Sequence, residues 1–489
     1  MTSYFLKKAD ENLPKIYERT VKVDVTTAPL GNSDSFIVDL GNHYVGYFSF
    51  MLWFVSDYID APVRMAVRFC EQERELDDDY GDYHGTLCAS WLQEEIINVD
   101  FPGEYKMPRR YAARFIRLKI LNTPKKLSLS NFSFKAVSSA NDGRQKHYEI
   151  ADAELRKIDK IAVNTLRNCM QRVFEDGPKR DRRLWIGDLR LEALTSYYTF
   201  ENPALVRRCL YLFAASKRNE YGIMPGFVYE NPVFASGNWF IIDYSLQFVC
   251  TLCDLCLNSD DENTFRDLYG VAKSILDVMD ETKDEYGLVT TRSGSSFVDW
   301  CEGLRKNSSL EGIYLYTLEL WCQTLEAMGM NEECATYRER LDKGRISSFS
   351  HLYDKASGKF INERDGYQYS VHTAAWMVLG GVVEGEEAKR VILDAITSRD
   401  SVKPFTPYMH HYAVEALFKA KAEREGEEYI RCIWGAMART GADTFQEVFA
   451  PDDPNFSPYG DRMINSCCHA WSCTPAYFIR KYGLGNGEK

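Results

Sequence analysis

Thirteen consecutive residues, Asp176-Gly-Pro-Lys-Arg-Asp-Arg-Arg-Leu-Trp-Ile-Gly-Asp188, combine three carboxylates, four cations and an indole ring. The stretch lies between two segments of helical periodicity, where a loop is expected. A Trp held between acids is typical of a sugar pocket, in which carboxylates bind hydroxyl groups, the ring stacks on the sugar and one acid donates a proton. The alternative is an exposed helix N-terminus that Asp188 caps.

Upstream of this stretch, before residue 150, the chain is rich in short alternating runs of apolar and polar residues. Turn residues separate these runs, and many short strands with such punctuation are typical of a β-sandwich. We therefore predict a β-sandwich domain over residues 1–149. The clearest strand candidates span residues 36–40, 44–50, 63–69 and 113–121.

Downstream of residue 150 the periodicity becomes helical. Short and long connections alternate, which predicts six helical hairpins closed into an (α/α)6 barrel over residues 150–489, with the long connections at one end. The twelve predicted helices lie near 150–175, 188–199, 202–217, 237–257, 261–284, 306–328, 330–353, 368–380, 384–398, 406–421, 424–438 and 463–480. The long connections are 176–187, 218–236, 285–305, 354–367 and 439–462.

A second acidic centre, Ala442-Asp-Thr-Phe-Gln-Glu-Val-Phe-Ala-Pro451, follows on another long connection. In a closed barrel the first and last hairpins are neighbours, so Asp181 and Glu447 should face each other across the barrel mouth. Two opposed carboxylates above an aromatic cup are what hydrolysis of a glycosidic bond needs. Taken alone, Glu447 has the alternative interpretation of an ordinary loop carboxylate.

Composition limits the partners and cofactors. The 489 residues include 71 acidic and 59 basic ones, a net charge of −12, which argues against nucleic acids and anionic membranes as partners. Residues 1–10 lack the apolar segment of a signal peptide, and no run of 18 apolar residues exists, so we expect a cytoplasmic protein. The fourteen Cys should then be free thiols.

Two features of the sequence have the composition of a metal site without its spacing. Cys250, Cys253 and Cys256 lie in an apolar helical stretch with no fourth ligand nearby, where Cys behaves as a small hydrophobe. The acidic loop Asp77-Asp-Asp-Tyr-Gly-Asp82 lacks EF-hand spacing. We therefore expect neither a metal nor a cofactor.

The motifs carry a resemblance to a known family. The stretch 176–188 resembles the D-x-P-x-R-E-R-x-G-W-x-G-D signature of the α-L-rhamnosidases of glycoside hydrolase family 78. Phe297-Val-Asp-Trp300 resembles the family's G-D-W segment, and the Glu447 loop with residues 465–478 resembles its base loop and closing helix. The N-terminal strands are similar to the β-sandwich that precedes the catalytic barrel in that family.

The resemblance implies an inverting hydrolase that removes a terminal α-L-rhamnosyl or similar deoxyhexosyl residue from glycosides or oligosaccharides. By position, Asp181 matches the general acid and Glu447 the general base. The resemblance also implies a carbohydrate substrate and no cofactor, and we expect a monomer or homodimer. The residues that match substrate-binding positions are Asp176, Arg180, Trp185, Asp188, Asp299, Trp300 and His469, with Trp239 as a further wall of the pocket.

Two departures from the family pattern leave alternatives open. Asp181 stands where the family has Glu, which shortens the acid by one methylene, and Leu184 stands where it has Gly. One alternative is a different sugar, such as a uronic acid, which Lys179, Arg180, Arg182 and Arg183 would favour. The others are a phosphorylase, which Glu447 argues against, and a glycan-binding protein that has lost catalysis, which retention of both carboxylates argues against.

Overall fold

A computed structural model describes residues 2–55, 60–100, 102–292 and 294–486. The chain begins with a helix that the sequence analysis did not predict, α1 (Thr2–Glu11), whose Phe5 and Ala9 are buried in the helical part of the molecule. Seven strands follow and form one sheet. They are β1 (Tyr17–Val23), β2 (Ser35–Phe54), β3 (Val63–Cys70), β4 (Glu94–Val99), β5 (Gly103–Lys106), β6 (Tyr111–Asn122) and β7 (Leu127–Ser138).

The strand pairs of this sheet are all antiparallel, in the order β1-β7-β2-β6-β3-β4, with β5 also pairing with β2. The predicted strands at 36–40 and 44–50 are one continuous strand, β2, whose register shifts between Asp39 and Tyr44. The apolar side chains of the strands form a core of their own, in which the rings of Phe69 and Tyr111 stack 3.7 Å apart. The N-terminal part is therefore a β-rich domain, as predicted.

Twelve helices follow within the described residues, and each overlaps one of the twelve predicted segments. They are α2 (Ala153–Cys169), α3 (Ile186–Tyr198), α4 (Pro203–Ala215), α5 (Ile242–Ser259), α6 (Glu262–Glu281), α7 (Asn307–Ala327), α8 (Asn331–Leu352), α9 (Val371–Leu379), α10 (Gly385–Thr397), α11 (Pro407–Lys419), α12 (Glu423–Arg439) and α13 (Pro475–Tyr482). Short strands lie in the connections: β8 (Leu184–Trp185), β9 (Phe227–Tyr229), β10 (Ala235–Ser236), β11 (Tyr353–Asp354), β12 (Lys359–Phe360), β13 (Tyr369–Ser370) and β14 (Ser401–Val402).

The helices form an inner and an outer ring. Nearly every residue of α3, α5, α9 and α11 is buried, which suits helices surrounded by protein on all sides. Each contacts the next around the ring, α3 with α5, α5 with α7, α7 with α9 and α9 with α11, and α13 packs on α3. The alternate helices bury one face only, as α6, α10 and α12 do. This arrangement is the predicted (α/α)6 barrel.

Three predicted helix boundaries are wrong, and the backbone explains them. The helix expected over 150–175 ends at Cys169, because Met170 and Phe174 pair in an antiparallel bridge. The helix expected to begin near 237 begins at Ile242, because Trp239 and Phe240 pair with residues 225–226 as extended chain. The helix expected over 463–480 begins at Pro475, and residues 462–464 and 470–472 form two 3-10 turns instead. At residues 237–241 and 463–474, the structure therefore has a loop beside the barrel mouth where the start of a helix was predicted.

The β-domain packs on the loops of the barrel and contributes ion pairs to them. Arg110 binds Glu175 at 2.7 Å, and Arg114 binds Asp443 at 2.9 Å. The division of the chain at residues 149/150 stays a prediction. No helix in the described part of the chain is both long enough and apolar enough to cross a bilayer.

Candidate active site

A cavity at the N-terminal ends of α3 and α5 brings together nearly all of the predicted site residues. The loops before α3, before α5, after Ser295 and around Glu447 all contribute to it. Its lining is made mainly of carboxylates and aromatic rings: Asp176, Arg180, Asp181, Trp185, Asp188, Trp239, Ile241, Tyr244, Phe297, Trp300, Glu447, Tyr459, His469 and Trp471.

The loop that carries Asp181 is folded around the side chain of Asp176. One oxygen of that carboxylate accepts a hydrogen bond from the Asp181 amide at 3.1 Å, and the other accepts one from the Arg183 amide at 3.0 Å. A Cβ atom at position 177 would overlap the carbonyl oxygen of Arg180, so only Gly177 permits this tight turn. Asp176 therefore holds the loop in shape as well as lining the cavity.

The second departure from the family pattern, Leu184, is accommodated by pairing. Leu184 is fully buried and pairs with Val228 in the small sheet of β8 and β9. Its side chain belongs to the barrel core and not to the cavity. The next residue, Trp185, is then directed at the cavity, because successive side chains of a strand alternate between its two faces.

Arg180 lies between the two proposed catalytic carboxylates. One terminal nitrogen of its guanidinium donates a hydrogen bond to Glu447, and the other lies 3.7 Å from Asp181. Its Nε donates to the Ile464 carbonyl at 3.0 Å. Burial lowers the pKa of Arg180, but Glu447, Tyr459 and Asp181 together outweigh burial and the pKa lies above its ordinary value, so the group stays charged.

Tyr459 is the second partner of Glu447. Its hydroxyl donates to one Glu447 oxygen at 2.7 Å, and its ring lies 4.4 Å from the Arg180 guanidinium carbon. Glu447 is thus held from two sides while it lines the cavity. The sequence analysis did not single out Tyr459, although an aromatic residue on the same long connection as Glu447 was a usable signal.

Burial raises the pKa of the three Asp side chains that line the cavity. It raises the pKa of Asp181, and Glu447 raises it further, while Arg180 and Arg183 oppose the shift. Burial likewise raises the pKa of Asp176 and Asp188 well above the ordinary Asp value. An acid in this environment keeps its proton to higher pH than a free Asp does, as a proton donor requires.

His469 and Asp188 are unpartnered and face each other. His469 Nδ1 lies 3.5 Å from Asp188 Oδ1, and neither atom has a hydrogen-bond partner within the described residues. His469 Nε2 lies 3.7 Å from Glu447. Burial, with a contribution from Arg180, lowers the pKa of His469 well below its ordinary value, so the ring is neutral. Buried polar atoms in this state are suited to bind hydroxyl groups of a ligand.

Aromatic rings form the remaining wall of the cavity. The ring of Trp185 lies 4.6 Å from Phe227 and perpendicular to Trp239 at 5.9 Å. Trp239 is 46% exposed, which places it at the rim. Trp300 packs edge-on against Trp471 at 5.3 Å. Among the lining residues that the sequence analysis did not assign are Phe297 and Trp471, which lie within the motifs it quoted, and Tyr244, which lies in the first turn of α5.

Asp299 is the one predicted substrate-binding residue that the structure places outside the lining of the cavity. Its side chain is fully buried, and its pKa is lowered because hydrogen bonds and the neighbouring His372 outweigh burial. One oxygen pairs with His372 Nε2 at 2.7 Å, and the other accepts from the Thr406 hydroxyl at 2.7 Å. Asp299 therefore joins the loop that carries Trp300 to the start of α11.

Comparison with known families matches both parts of the chain. Residues 11–138 match the N-terminal domain of the glycosyl hydrolase family 78 alpha-rhamnosidases. Residues 147–482 match the bacterial alpha-L-rhamnosidase 6 hairpin glycosidase domain. Among curated protein sequences, no match to this chain was found.

Solved structures include one of nearly the same extent. A rhamnosidase from Klebsiella oxytoca with rhamnose bound is 35% identical, with a TM-score of 0.94 and 99% of each chain covered. A family 78 rhamnosidase from Bacillus sp. GL1 is 22% identical, with a TM-score of 0.77 over 91% of this chain and 46% of that one. A Streptomyces avermitilis alpha-L-rhamnosidase, solved with L-rhamnose, is 14% identical, with a TM-score of 0.65 over 95% of this chain and 44% of that one. This chain thus spans about half the length of the latter two.

Proposed function

This chain belongs to glycoside hydrolase family 78, and we propose that it removes a terminal α-L-rhamnosyl or similar deoxyhexosyl residue from glycosides or oligosaccharides, with inversion. Its class as a glycoside hydrolase follows from the family. The sugar is inferred from the rhamnosidase of Klebsiella oxytoca, which was solved with rhamnose bound and matches this chain over its whole length.

The observation that carries the mechanism is the position of Asp181 and Glu447 on either side of Arg180 in an aromatic cavity. In the proposed reaction Asp181 gives its proton to the glycosidic oxygen as the bond from that oxygen to the anomeric carbon breaks. Glu447 takes a proton from a water molecule, whose oxygen bonds to the anomeric carbon from the opposite face. The two carboxyl groups of such a pair should lie about 6.5–9.5 Å apart, which leaves room for the water.

The remaining lining residues have binding roles in this proposal. Asp188 and His469 bind sugar hydroxyls through their unpartnered atoms. Trp185 and Trp300 form the walls on which the apolar sugar face stacks, and Trp239 lies at the rim beside the leaving group. Arg180 acts mainly on Glu447 and not on a hydroxyl, because its guanidinium already pairs with that carboxylate.

A uronic acid is a less suitable substrate for this cavity. Of the four cations in the stretch 176–188, Arg180 alone lines the cavity described here, and its charge is matched by Glu447. Lys179 is buried against Glu75, and Arg183 stacks on Phe227 and Tyr229. A neutral sugar therefore fits better than a charged one.

We also propose a cytoplasmic location and a monomeric or homodimeric state. The fourteen Cys are all free thiols, most of them buried, which suits a reducing compartment. Cell fractionation tests the first proposal, and light scattering of the purified protein tests the second. Membrane association or a higher oligomer would contradict them.

The activity itself can be tested with a panel of nitrophenyl glycosides, assayed with and without phosphate. We expect hydrolysis of the α-L-rhamnoside above all others, at a rate that does not depend on phosphate. Faster hydrolysis of a uronide would indicate that the substrate is a uronic acid glycoside, and a requirement for phosphate would indicate a phosphorylase. Absence of turnover on the whole panel, together with measurable binding of rhamnose, would indicate a glycan-binding protein.

A further inference from the structure

The β-domain places two buried carboxylates against the loops of the barrel mouth. Glu71 directly follows β3, and Glu75 lies in the 3-10 turn Glu73–Asp77 behind it. Each residue is only 4% exposed. Carboxylates are rarely buried to this extent unless they are paired, so their partners indicate what they do.

Glu75 pairs with the loop of the proposed acid. One of its oxygens accepts a hydrogen bond from Lys179 Nζ at 2.5 Å, and the other accepts from the backbone amides of Glu71 and Gln72. Lys179 also donates to the carbonyls of Met463 and Asn465, at 3.2 and 3.1 Å. The ammonium group of Lys179 therefore binds both the β-domain and the segment that follows the proposed base. In the sequence, Lys179 directly precedes Arg180.

Glu71 pairs with the other loop. One of its oxygens accepts from the Cys467 backbone amide at 2.6 Å, and the other lies 3.1 Å from His43 Nε2. The preceding residue, Ser466, accepts a hydrogen bond from the Glu447 amide at 3.0 Å. Glu71 thus fixes the backbone that in turn holds the proposed base.

Glu71, Glu75 and Cys467 have the donor atoms of a metal site, but the contacts assign them another role. The Lys179 ammonium already lies 2.5 Å from Glu75, where a cation would lie, and both oxygens of Glu71 have partners. Burial opposes the charge on Lys179, but Glu75 and Glu71 outweigh it and raise its pKa, so the ammonium persists. Lys179 thus offsets the charge of Glu75, and Glu71 pairs with His43, so the group is a buried charge cluster between the two domains.

We propose that Glu71, Glu75 and Lys179, the interdomain charge cluster, are positioning residues that set the acid loop and the base loop at their working separation. The inference rests on the proposed roles of Asp181 and Glu447. It makes the β-domain part of the catalytic machinery, acting through Arg180 on one side and through Ser466 on the other. A displacement of about 1 Å between reacting groups costs about 100-fold in rate.

The test replaces both charges together, with Glu75→Gln and Lys179→Met in one protein. A single substitution at Glu75 or Lys179 would leave the other charge buried and unpaired, which disrupts folding, whereas the double variant removes the pair and leaves Glu71 with His43 and the Cys467 amide. We expect kcat on an aryl rhamnoside to fall about 10- to 100-fold, with KM within about two-fold of the parent, because the loops shift while the sugar walls remain.

The matched control is the pair Asp159 and Arg480, in α2 and α13. It is also buried, with contacts of 2.8 and 2.9 Å, and Arg480 likewise donates to two carbonyls, those of Lys146 and Tyr198. Asp159→Asn with Arg480→Met should lower thermal stability and leave kcat within about two-fold of the parent. An equal loss of kcat in both double variants would mean that the loss comes from lower stability and not from the position of the loops, and it would overturn the proposal.

A second variant, Glu75→Asp, covers the case in which the double variant does not fold. It keeps both charges but shortens the carboxylate by one methylene, so Lys179 must move to follow it. We expect a smaller fall in kcat with KM unchanged, and a folded Glu75→Asp or double variant with the parental kcat overturns the proposal. Glu447→Gln in the same assay separates the two failures: if that variant is fully active, the proposed function fails, whatever the charge cluster does.

Discussion

At the scale of single residues, the site is built around one cation placed between two acids. Arg180 pairs with Glu447 and leaves Asp181 at 3.7 Å, so the two carboxylates differ in their surroundings. Glu447 is held by Arg180 and Tyr459, whereas the pKa of Asp181 is raised by burial. This asymmetry supports the proposal that Asp181 donates the proton and Glu447 acts as the base, although Asp181 is one methylene shorter than the Glu of the family pattern.

The acid role of Asp181 predicts a dependence on the leaving group. In Asp181→Asn the proton donor is lost, so substrates with poor leaving groups should slow by about 10²- to 10⁴-fold. Nitrophenyl rhamnosides need little protonation and should slow far less. The measurement is kcat/KM for both substrate types, and equal losses on the two would contradict the acid role.

The base role of Glu447 predicts a separation of turnover from binding. Glu447→Gln keeps the shape of the side chain but cannot take a proton from water, so kcat should fall by about 10²- to 10⁴-fold. Rhamnose affinity, measured by calorimetry, should stay close to that of the parent. Azide should restore part of the activity because it needs no base. Weakened binding with unchanged turnover would make Glu447 a sugar ligand instead.

The aromatic wall predicts the opposite behaviour. Trp300→Ala removes a stacking surface that lines the cavity beside Trp471. We expect rhamnose affinity to fall by about 1–2 kcal/mol, or roughly 5- to 30-fold in Kd. Trp239→Ala is the comparison, because Trp239 is 46% exposed at the rim and should affect the aryl group more than the sugar. If the Trp300→Ala protein had the parental Kd for rhamnose, Trp300 would not be a stacking surface for the sugar.

At the scale of elements, the inner helix α3 carries acids at successive turns. Asp188 lies in its first turn at the cavity, and Glu192 lies one turn later, fully buried, with neither carboxylate oxygen partnered in the described structure. Burial, with Asp188 and Asp176 as further causes, raises the pKa of Glu192 well above 4.5. Glu192 is therefore protonated in the folded protein at pH values where the unfolded chain has lost the proton.

This difference makes stability depend on pH. Because the folded state binds the proton more tightly, the contribution of Glu192 is complete below pH 4.5 and is lost as pH rises toward the raised pKa. Glu192→Gln removes the titration, so the unfolding free energy of this variant should rise relative to the parent by up to about 1.4 kcal/mol per pH unit between pH 4.5 and the raised pKa, and stay level above it. Denaturant unfolding at several pH values measures it, and a pH-independent difference between the two proteins would contradict it.

Periodicity predicted the elements far better than their ends. The apolar inner helices and the amphipathic outer ones are visible in the sequence, because burial on all sides or on one side fixes composition. The extended chain at Trp239 and the turns before Pro475 were not predictable, because hydrogen bonds to distant backbone decide them. The buried position of Asp299 was not predictable for the same reason, since its partners His372 and Thr406 are remote in sequence.

At the scale of the whole molecule, the motif at 176–188 and the closing of the barrel explain why two acids 266 residues apart in sequence meet in one cavity. The order of β-domain and barrel was predictable from the change in periodicity near residue 150. The sequence did not make it possible to predict the contribution of Tyr459, or that of the β-domain through Glu71 and Glu75. No local pattern marks a side chain that acts on another loop.

The central claim, that Asp181 and Glu447 form an inverting acid–base pair, is tested most directly by the anomer that is released first. Proton NMR of an α-L-rhamnoside, recorded during the first turnovers and before mutarotation, distinguishes the two products. We predict that β-L-rhamnose appears first and that the α anomer grows in only by mutarotation, because water attacks from the face opposite the leaving group. Initial release of α-L-rhamnose would mean retention and a covalent intermediate, and it would contradict the account.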